Sequence, residues 1–162
     1  MTIALRAARL ADALDMAVVH RQAVHAAMPG IYDQPVRDNW APPVDLARAE
    51  RLYLDAQDEG VTGFVAEVES EVAGFALVKS DRGQIEACYV APAATRRGLG
   101  RALMGAAEDA ARAAGAALLT VRSSTFALPF YRSLGFAVTA RTSVAFPDGT
   151  AMPVVLMEKR LA

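Results

Sequence analysis

Several residue types and patterns are scarce in this chain of 162 residues, and each scarcity excludes a class of protein. Cys88 is the single cysteine, which excludes an intrachain disulfide framework and a cysteine-rich zinc site. No stretch reaches the roughly 18 uncharged apolar residues that a membrane-spanning helix needs, so no such span is expected. The N-terminal segment is interrupted by charged residues and lacks the apolar centre of a secretory signal, which makes the cytoplasm the default location.

The balance of charge disfavours a polyanionic partner such as nucleic acid. The chain has 17 basic and 18 acidic residues, whereas domains that bind nucleic acid are usually strongly basic. Apart from Lys79 and Lys159, all the basic residues are arginines, whose planar guanidinium suits carboxylate and phosphate groups. With 54% hydrophobic residues the chain can build a full core, so a single domain over residues 1–162 is predicted.

The spacing of apolar residues predicts a mixed α/β fold with the element order β-α-α-β-β-β-α-β-α-β-β. Three consecutive strands are expected to form an antiparallel meander, and the last two strands a hairpin. Residues 31–43 are expected to be irregular, with or without one short helix, after Met28, Pro29 and Gly30 end the first helix. The predicted strands are 2–6, 63–68, 72–79, 84–91, 117–121, 136–146 and 152–159, and the predicted helices are 12–27, 45–57, 98–114 and 125–133.

The most informative segment joins the third strand of the meander to the long helix that follows. Gly98 and Gly100 stand at the start of that helix, where unpaired backbone N–H groups and the helix dipole favour an anion. Arg96, Arg97 and Arg101 surround the glycines, so a diphosphate is the natural ligand. A tight turn with a solvated basic face is the alternative. A Walker loop and a dinucleotide fingerprint are excluded, because Gly-Lys-Ser/Thr and a third glycine at the required spacing are absent.

Two segments of the chain resemble the signatures of the GCN5-related N-acetyltransferases. Residues 95–100 (TRRGLG) are similar to Arg/Gln-x-x-Gly-x-Gly/Ala, with Thr95 in place of the usual Arg or Gln. Residues 124–136 (STFALPFYRSLGF) are similar to Asn-x-x-Ala-x-x-Phe-Tyr-x-x-x-Gly-Phe, with Ser124 in place of Asn. The predicted element order matches the family over nearly the whole chain.

The resemblance implies a splayed, mostly antiparallel sheet flanked by helices, with acetyl-CoA as cosubstrate between two diverging strands. It also implies an N-acetyltransferase in which the amine of a small molecule or peptide attacks the thioester directly. An acyl-CoA sensor without turnover is the alternative, and a homodimer through the final hairpin is a further implication. The residues assigned to the cosubstrate by resemblance are Tyr89, Val90, Arg96, Arg97, Gly98, Leu99, Gly100, Arg101 and Ser124.

Acetyl transfer requires the acceptor ammonium to lose its proton, which costs about 4–5 kcal/mol at pH 7 for a lysine-like amine. Glu86 is the candidate base, because strand alternation would place it on the face of Cys88 and Val90. A surface glutamate, or one paired with an arginine, is the alternative. By resemblance, the Val90 amide is the candidate oxyanion donor and Tyr131 the candidate acid, the alternative for Tyr131 being a core aromatic.

Residues 28–43 are the candidate segment for acceptor recognition, since loops on a rigid scaffold often carry specificity. Tyr32 and Trp40 are predicted to form an aromatic wall, and Asp33 or Asp38 to pair with an amine. A hydrophobic plug over the sheet is an equally supported interpretation of Trp40. No metal site is predicted, because the two histidines fall on different helix faces and have no ligand cluster beside them.

Overall fold

Seven strands and five α-helices make up the computed structural model, which describes residues 2–27 and 30–161. The strands are β1 (Ile3–Ala7), β2 (Val61–Val68), β3 (Glu71–Lys79), β4 (Gln84–Val90), β5 (Leu118–Ser124), β6 (Ala137–Ala145) and β7 (Ala151–Arg160). The helices are α1 (Ala13–Ala27), α2 (Gln34–Trp40), α3 (Leu46–Asp58), α4 (Leu99–Ala113) and α5 (Leu128–Ser133).

All seven strands belong to one sheet in the order β1-β2-β3-β4-β5-β7-β6. Every neighbouring pair is antiparallel except β4 and β5, which lie at the middle of the sheet and run parallel. The mixed α/β fold, the β2–β3–β4 meander and the closing β6–β7 hairpin are therefore confirmed. The segment 31–43 does contain one short helix, α2.

Two predicted boundaries around β5 were wrong. The strand continues to Ser124, three residues past its predicted end, because β7 pairs with it along its whole length. Helix α5 begins at Leu128 and not at residue 125, since residues 125–127 form a turn in which the Ala127 N–H donates to the Ser124 hydroxyl over 3.1 Å. The predicted helix end at Met28 and Pro29 lies outside the described residues.

The parallel contact between β4 and β5 depends on Gly83, which precedes β4. Its φ of +61° is in the left-handed region, and a Cβ here would collide with the carbonyl oxygen of Leu118. The Gly83 carbonyl in turn accepts a hydrogen bond from the Thr120 N–H over 2.8 Å. A glycine in this turn therefore lets the first residue of β4, Gln84, pair with Thr120 of β5.

Helices cover both faces of the sheet. They do not cover the gap that opens between β4 and β5 a few residues after Gly83. Helices α4 and α5 pack one face, where Met104 and Ala107 meet Leu119 and Met157. Helix α1 packs the other face of the N-terminal half, and α2 lies over the hairpin, where Val36 meets Met152 and Val154. None of the helices in residues 2–27 and 30–161 has the length and apolar character to cross a membrane.

Strand β6 is one of the two edge strands of the sheet and is exposed along most of its length. An exposed edge strand offers unpaired backbone groups to a second chain. A homodimer through the β6–β7 hairpin and a single domain over residues 1–162 both stay predictions.

Candidate active site

The central strands separate soon after they meet. β4 and β5 pair at two positions only, Gln84 with Thr120 and Ile85 with Val121, although both strands continue beyond them. The opening between the strands belongs to a cavity of about 1160 Å³. Both strands, the turn before α4, helix α5 and the β6–β7 hairpin line this cavity. The split therefore exposes the backbone edge of β4 to a space large enough for an extended ligand.

The Val90 N–H lies on this free edge. The Ala91 N–H donates to the carbonyl of Ala73 on β3 over 2.8 Å, and Val90 is the register partner of Gly74. Because successive N–H groups of a strand point to opposite edges, the Val90 N–H is directed away from β3 and into the split. It is thus positioned to donate to a carbonyl oxygen held between the strands.

The turn before α4 presents a cluster of cations at a helix N-terminus. Gly98 is the N-cap residue of the 15-residue α4 and has a φ of +82°, and Arg96 also has a positive φ of 62°. Arg96, Arg97 and Arg101 are all exposed, and Arg96 and Arg101 line the cavity. The geometry brings Arg96, Arg101 and the start of the helix to one end of the cavity, where an anion is favoured.

The two glycines of this turn have different roles. A Cβ on Gly98 would meet no atom within 4 Å, so the glycine supplies a left-handed backbone beside open space. A Cβ on Gly100 would lie 3.1 Å from the Phe130 ring, so the missing side chain there accommodates Phe130. The open space at this turn therefore lies beside Gly98, whereas Gly100 serves the packing of Phe130. Leu99 is 2% exposed and anchors this helix end in the core.

Glu86 lies in a β-bulge at the split. Val78 pairs with Ile85 and Leu77 pairs with Ala87, so Glu86 is the extra residue on β4. The bulge interrupts the alternation, and the expectation that Glu86 shares a face with Cys88 and Val90 is wrong. Glu86 is exposed and lines the cavity, so its carboxylate is accessible to a ligand.

Tyr131 and Cys88 lie on the α4/α5 side of the split. Tyr131 is 4% exposed, packs edge-to-face on Phe130 and Phe136, and lines the cavity. Burial raises the pKa of Tyr131 well above its usual value, so its hydroxyl remains protonated. Burial also raises the pKa of the Cys88 thiol to about 12, which makes Cys88 a poor nucleophile.

Ser124 shapes the end of β5. It is buried, lines the cavity, and its hydroxyl accepts the hydrogen bond from Ala127 described above. The neighbouring Ser123 hydroxyl donates to the Ser124 carbonyl over 2.7 Å. This position in the second signature thus fixes the turn into α5, which carries Tyr131.

The predicted aromatic pair divides into a structural residue and a cavity residue. The Tyr32 hydroxyl donates to the Pro153 carbonyl over 2.9 Å and accepts from the Thr125 N–H over 2.7 Å. Tyr32 is buried and joins α2 to the sheet, outside the cavity lining. Trp40 lines the cavity, packs edge-to-face on Tyr32, and contacts Tyr89 with ring centroids 6.1 Å apart.

The predicted acidic partners for an amine lie elsewhere. Asp33 and Asp38 are exposed and outside the cavity lining, and Asp38 accepts a hydrogen bond from the Gln34 amide over 2.8 Å. The negative charges that the structure brings to the cavity belong to Glu86 and Glu158.

Three residues of this region were missed by sequence reasoning. Arg122 and Glu158 line the cavity, and the signal for Arg122 was a charged residue directly after the buried Val121, beyond the predicted end of the strand. His20 of α1 packs against Tyr89 with ring centroids 4.6 Å apart and the rings tilted by 53°, and its Nε2 atom is buried without a hydrogen-bond partner among the described residues. Its desolvation lowers the pKa of His20 to about 4.

Within residues 2–27 and 30–161, no group of three or more His, Cys, Asp or Glu side chains is arranged to hold a metal ion. The charged groups at the cavity are instead cations at the α4 end and two carboxylates with Arg122 near the parting of β4 and β5. The arrangement suits an anionic, extended ligand along β4 and a second ligand near Glu86.

The family of the acetyltransferase (GNAT) domain matches residues 35–161. A GCN5-related N-acetyltransferase from Rhodopseudomonas palustris is 27% identical, with a TM-score of 0.87 over 99% of this chain and 97% of that chain. YncA from Salmonella typhimurium, solved with its cofactor acetyl-CoA, is 25% identical, with a TM-score of 0.75 over 100% of this chain and 95% of that chain. No curated protein matches the sequence.

A more distant structure has the same fold. The PaiA N-acetyltransferase from Thermoplasma acidophilum, in complex with coenzyme A, is 19% identical, with a TM-score of 0.79 over 99% of this chain and 100% of that chain. The predicted splayed, mostly antiparallel sheet is thus confirmed both by the strand order and by likeness to solved structures.

Proposed function

Because the chain belongs to the GNAT acetyltransferase family, we propose that it transfers the acetyl group of acetyl-CoA to the amine of a small molecule or peptide, by direct attack on the thioester. The observation that carries this proposal is the parting of β4 and β5 beside the basic N-terminus of α4. One cavity contains both features. YncA, whose structure is similar to that of this chain, was solved with acetyl-CoA.

The chain offers two kinds of group to coenzyme A. For the pyrophosphate there are the first N–H groups of α4, from Gly98, Leu99 and Gly100, together with Arg96 and Arg101. Arg97 on the same turn adds positive charge. For the pantetheine there is the free backbone edge of β4 near Tyr89 and Val90, which can pair with amide groups as a further strand would. Ser124 completes the opposite wall.

Acetyl-CoA supplies the activated acetyl group, and Glu86 is assigned the task of taking the proton from the acceptor amine. Its carboxylate is exposed to the cavity at the point where the strands part. A positioned base of this kind contributes about 100- to 10,000-fold to a reaction that needs proton removal. The base acts directly or through one water molecule.

The Val90 N–H and Tyr131 are assigned to the other end of the reaction. The Val90 N–H, directed into the split, stabilises negative charge on the acetyl oxygen. Tyr131 lies across the sheet from Glu86, so the amine and the thiol would occupy opposite faces. Because the hydroxyl of Tyr131 keeps its proton, it serves as a hydrogen-bond donor to the departing sulfur.

The experiment that tests this function measures thiol release from acetyl-CoA across a panel of small amines, amino acids and peptides, with product masses to confirm acetylation. Coenzyme A should also raise Tm, since a ligand at 100 times its Kd stabilises by about 2.7 kcal/mol. A raised Tm without turnover of any amine would favour the sensor. No rise in Tm at 100-fold over a micromolar Kd would contradict the proposal as a whole.

A further inference from the structure

Glu86 and Arg122 flank the point where β4 and β5 part. Ile85 and Val121 form the last pair between these strands, so Glu86 and Arg122 are the first residue of each strand beyond it. Both residues are exposed and both line the cavity. A base and a cation thus stand on opposite sides of the same opening.

The two side chains belong to one face of the sheet. Ile85 and Val121 are buried together with helix α4, so the residues that follow them alternate to the face covered by α1 and α2. The pairing of β5 with β7 agrees, because the register partner of Arg122 is Leu156, which also lines the cavity. Both charged groups therefore point toward the side from which the acceptor enters.

No ion pair joins these groups to any described residue. The ion pairs within residues 2–27 and 30–161 involve other side chains, and Arg122, Glu86 and the nearby Glu158 are absent from them. Glu158 is the register partner of Thr120, which lies two residues before Arg122 on β5. Arg122 lines the same cavity as the two carboxylates but pairs with neither, so its five donors are available to a ligand's own acid group.

An apolar surface lies next to this pair of charges. Its residues come from α2 and from the hairpin, and they line the same cavity: Trp40, Val144, Phe146, Met152, Val154 and Leu156. Five of them, all but Leu156, pack around the buried Val36 and Tyr32, so the surface is held in place from behind. This surface can pack against an apolar acceptor side chain, and it has no charged group that would bind a polar side chain.

We propose that the acceptor is a free α-amino acid with an apolar side chain, an inference that rests on the proposed acetyl transfer. Arg122 binds the α-carboxylate through its guanidinium fork, and Glu86 receives the proton of the α-amino group. The side chain packs against Trp40 and the hairpin. A peptide N-terminus fits less well, because its neutral carbonyl leaves Arg122 without an anionic partner.

The test compares apolar L-amino acids with their carboxamides, phenylalanine and methionine being the first pairs. The wild-type protein and Arg122→Gln are assayed for kcat/KM on each acid and each amide. The acid-to-amide ratio should fall roughly 10- to 100-fold in Arg122→Gln, since a charge-assisted bidentate contact is lost. Comparing ratios between proteins cancels the different amine pKa of acid and amide. The control is Arg141→Gln on β6, an exposed arginine paired with Val155 on the opposite face.

Equilibrium binding gives a second readout that does not require turnover. The coenzyme A-loaded protein is titrated with each acid and amide, and the acid should bind more tightly only when Arg122 is present. Binding of this kind without acetylation would contradict the proposed function and support the amino-acid site.

Three results would overturn the inference while acetyl transfer stands. The first is a wild-type preference for amides or peptide N-termini. The second is an equal loss on acid and amide in Arg122→Gln. The third is a raised KM for acetyl-CoA in that variant, which would place Arg122 against the cosubstrate.

Discussion

In the proposed reaction, the two faces of the split bind their ligands by different physical means. On the cofactor face, made by the β4 edge, residues 95–101 and α4, the ligand groups come largely from backbone N–H groups and a helix terminus. On the acceptor face, made by α2, Glu86, Arg122 and the β6–β7 hairpin, they are side chains from four separate elements. A cofactor common to a family can be held by backbone geometry, whereas acceptor choice can change through single side chains.

The faces also differ in how firmly they are anchored. Leu99, Leu103 and Met104 of α4 are all at most 2% exposed, so the cofactor face rests on the centre of the core. The acceptor face rests on a smaller cluster around Tyr32 and Val36 and ends at the exposed strand β6. We therefore expect changes on the acceptor face to alter selectivity with little loss of coenzyme A binding.

The largest expected effect is on the acceptor face. Glu86→Gln should lower kcat/KM at pH 7 by roughly 100- to 1,000-fold, because the acceptor amine loses its base. The rise of kcat/KM with pH should move to the acceptor amine's own pKa, while the coenzyme A-induced change in Tm stays the same.

The matched control for this variant is Glu158→Gln, which removes the same charge from another cavity-lining carboxylate. An equal loss in both variants would mean that the field of the two carboxylates matters and that Glu86 is no base. An unchanged pH profile in Glu86→Gln would contradict its role directly.

The next effect belongs to the cofactor face. The double variant Arg96→Ala/Arg101→Ala should raise the KM for acetyl-CoA by roughly 10- to 100-fold, because two charge-assisted contacts to phosphate are lost. The order of preference among amines should not change. Arg132→Ala on α5, exposed and outside the cavity lining, is the control. A changed amine preference would show that the two faces are not independent.

The third effect is a loss of folding stability at acid pH, caused by the buried His20. His20 supports Trp40 and Tyr89 by ring contacts, and burial lowers its pKa to about 4. The unfolded chain binds a proton there below pH 6.5, but the folded chain does so only near pH 4, so stability falls between these values. The loss from pH 7.5 to pH 5 amounts to about 2 kcal/mol for this group.

His20→Phe should therefore lose about 2 kcal/mol less free energy of unfolding over that pH range than the wild-type chain, measured by urea denaturation. His20→Gln should show the same reduced acid sensitivity even if its stability at pH 7.5 is lower, because it also removes the titrating group. An acid response equal to that of the wild-type chain in both variants would contradict the prediction.

The smallest expected effect concerns Tyr131 and the coenzyme A thiol that leaves in the reaction. Tyr131→Phe should lower kcat by about 10-fold, as one hydrogen bond to the departing sulfur is lost, with coenzyme A affinity nearly unchanged. The thiolate is far less basic than the amine, so its donor matters less than the base on the other face. Unchanged turnover would remove Tyr131 from the mechanism, and a matching loss of coenzyme A affinity would make it a binding residue.

Much of the cofactor face could be predicted from the sequence, because its determinants are contiguous. Residues 95–101 contain two glycines, three arginines and the start of α4, and Gly98 has a positive φ. Local rules for helix ends apply to such a segment directly. The role of Gly100 could not be read this way, since Phe130, which fills the space above it, is thirty positions away in the chain.

The acceptor face was harder to predict because its determinants are distant in sequence. The bulge at Glu86 depends on the register with β3, and the length of β5 depends on its pairing with β7. Tyr32 was predicted to bind the acceptor because it is an aromatic residue in a candidate recognition loop. Two hydrogen bonds to distant parts of the chain give it a structural role instead. Local patterns carry no information about such partners.

The sequence by itself determined the order of the strands and of every helix except α2, together with the meander, the closing hairpin and the basic turn at the start of α4, because each follows from local spacing and backbone preference. Only the tertiary structure decided where β4 and β5 part, which face Glu86 occupies, and that Arg122 stands opposite it. Those features arise from register between strands that are far apart in the chain. Strand register is set by the packing of a whole sheet, which no short segment encodes.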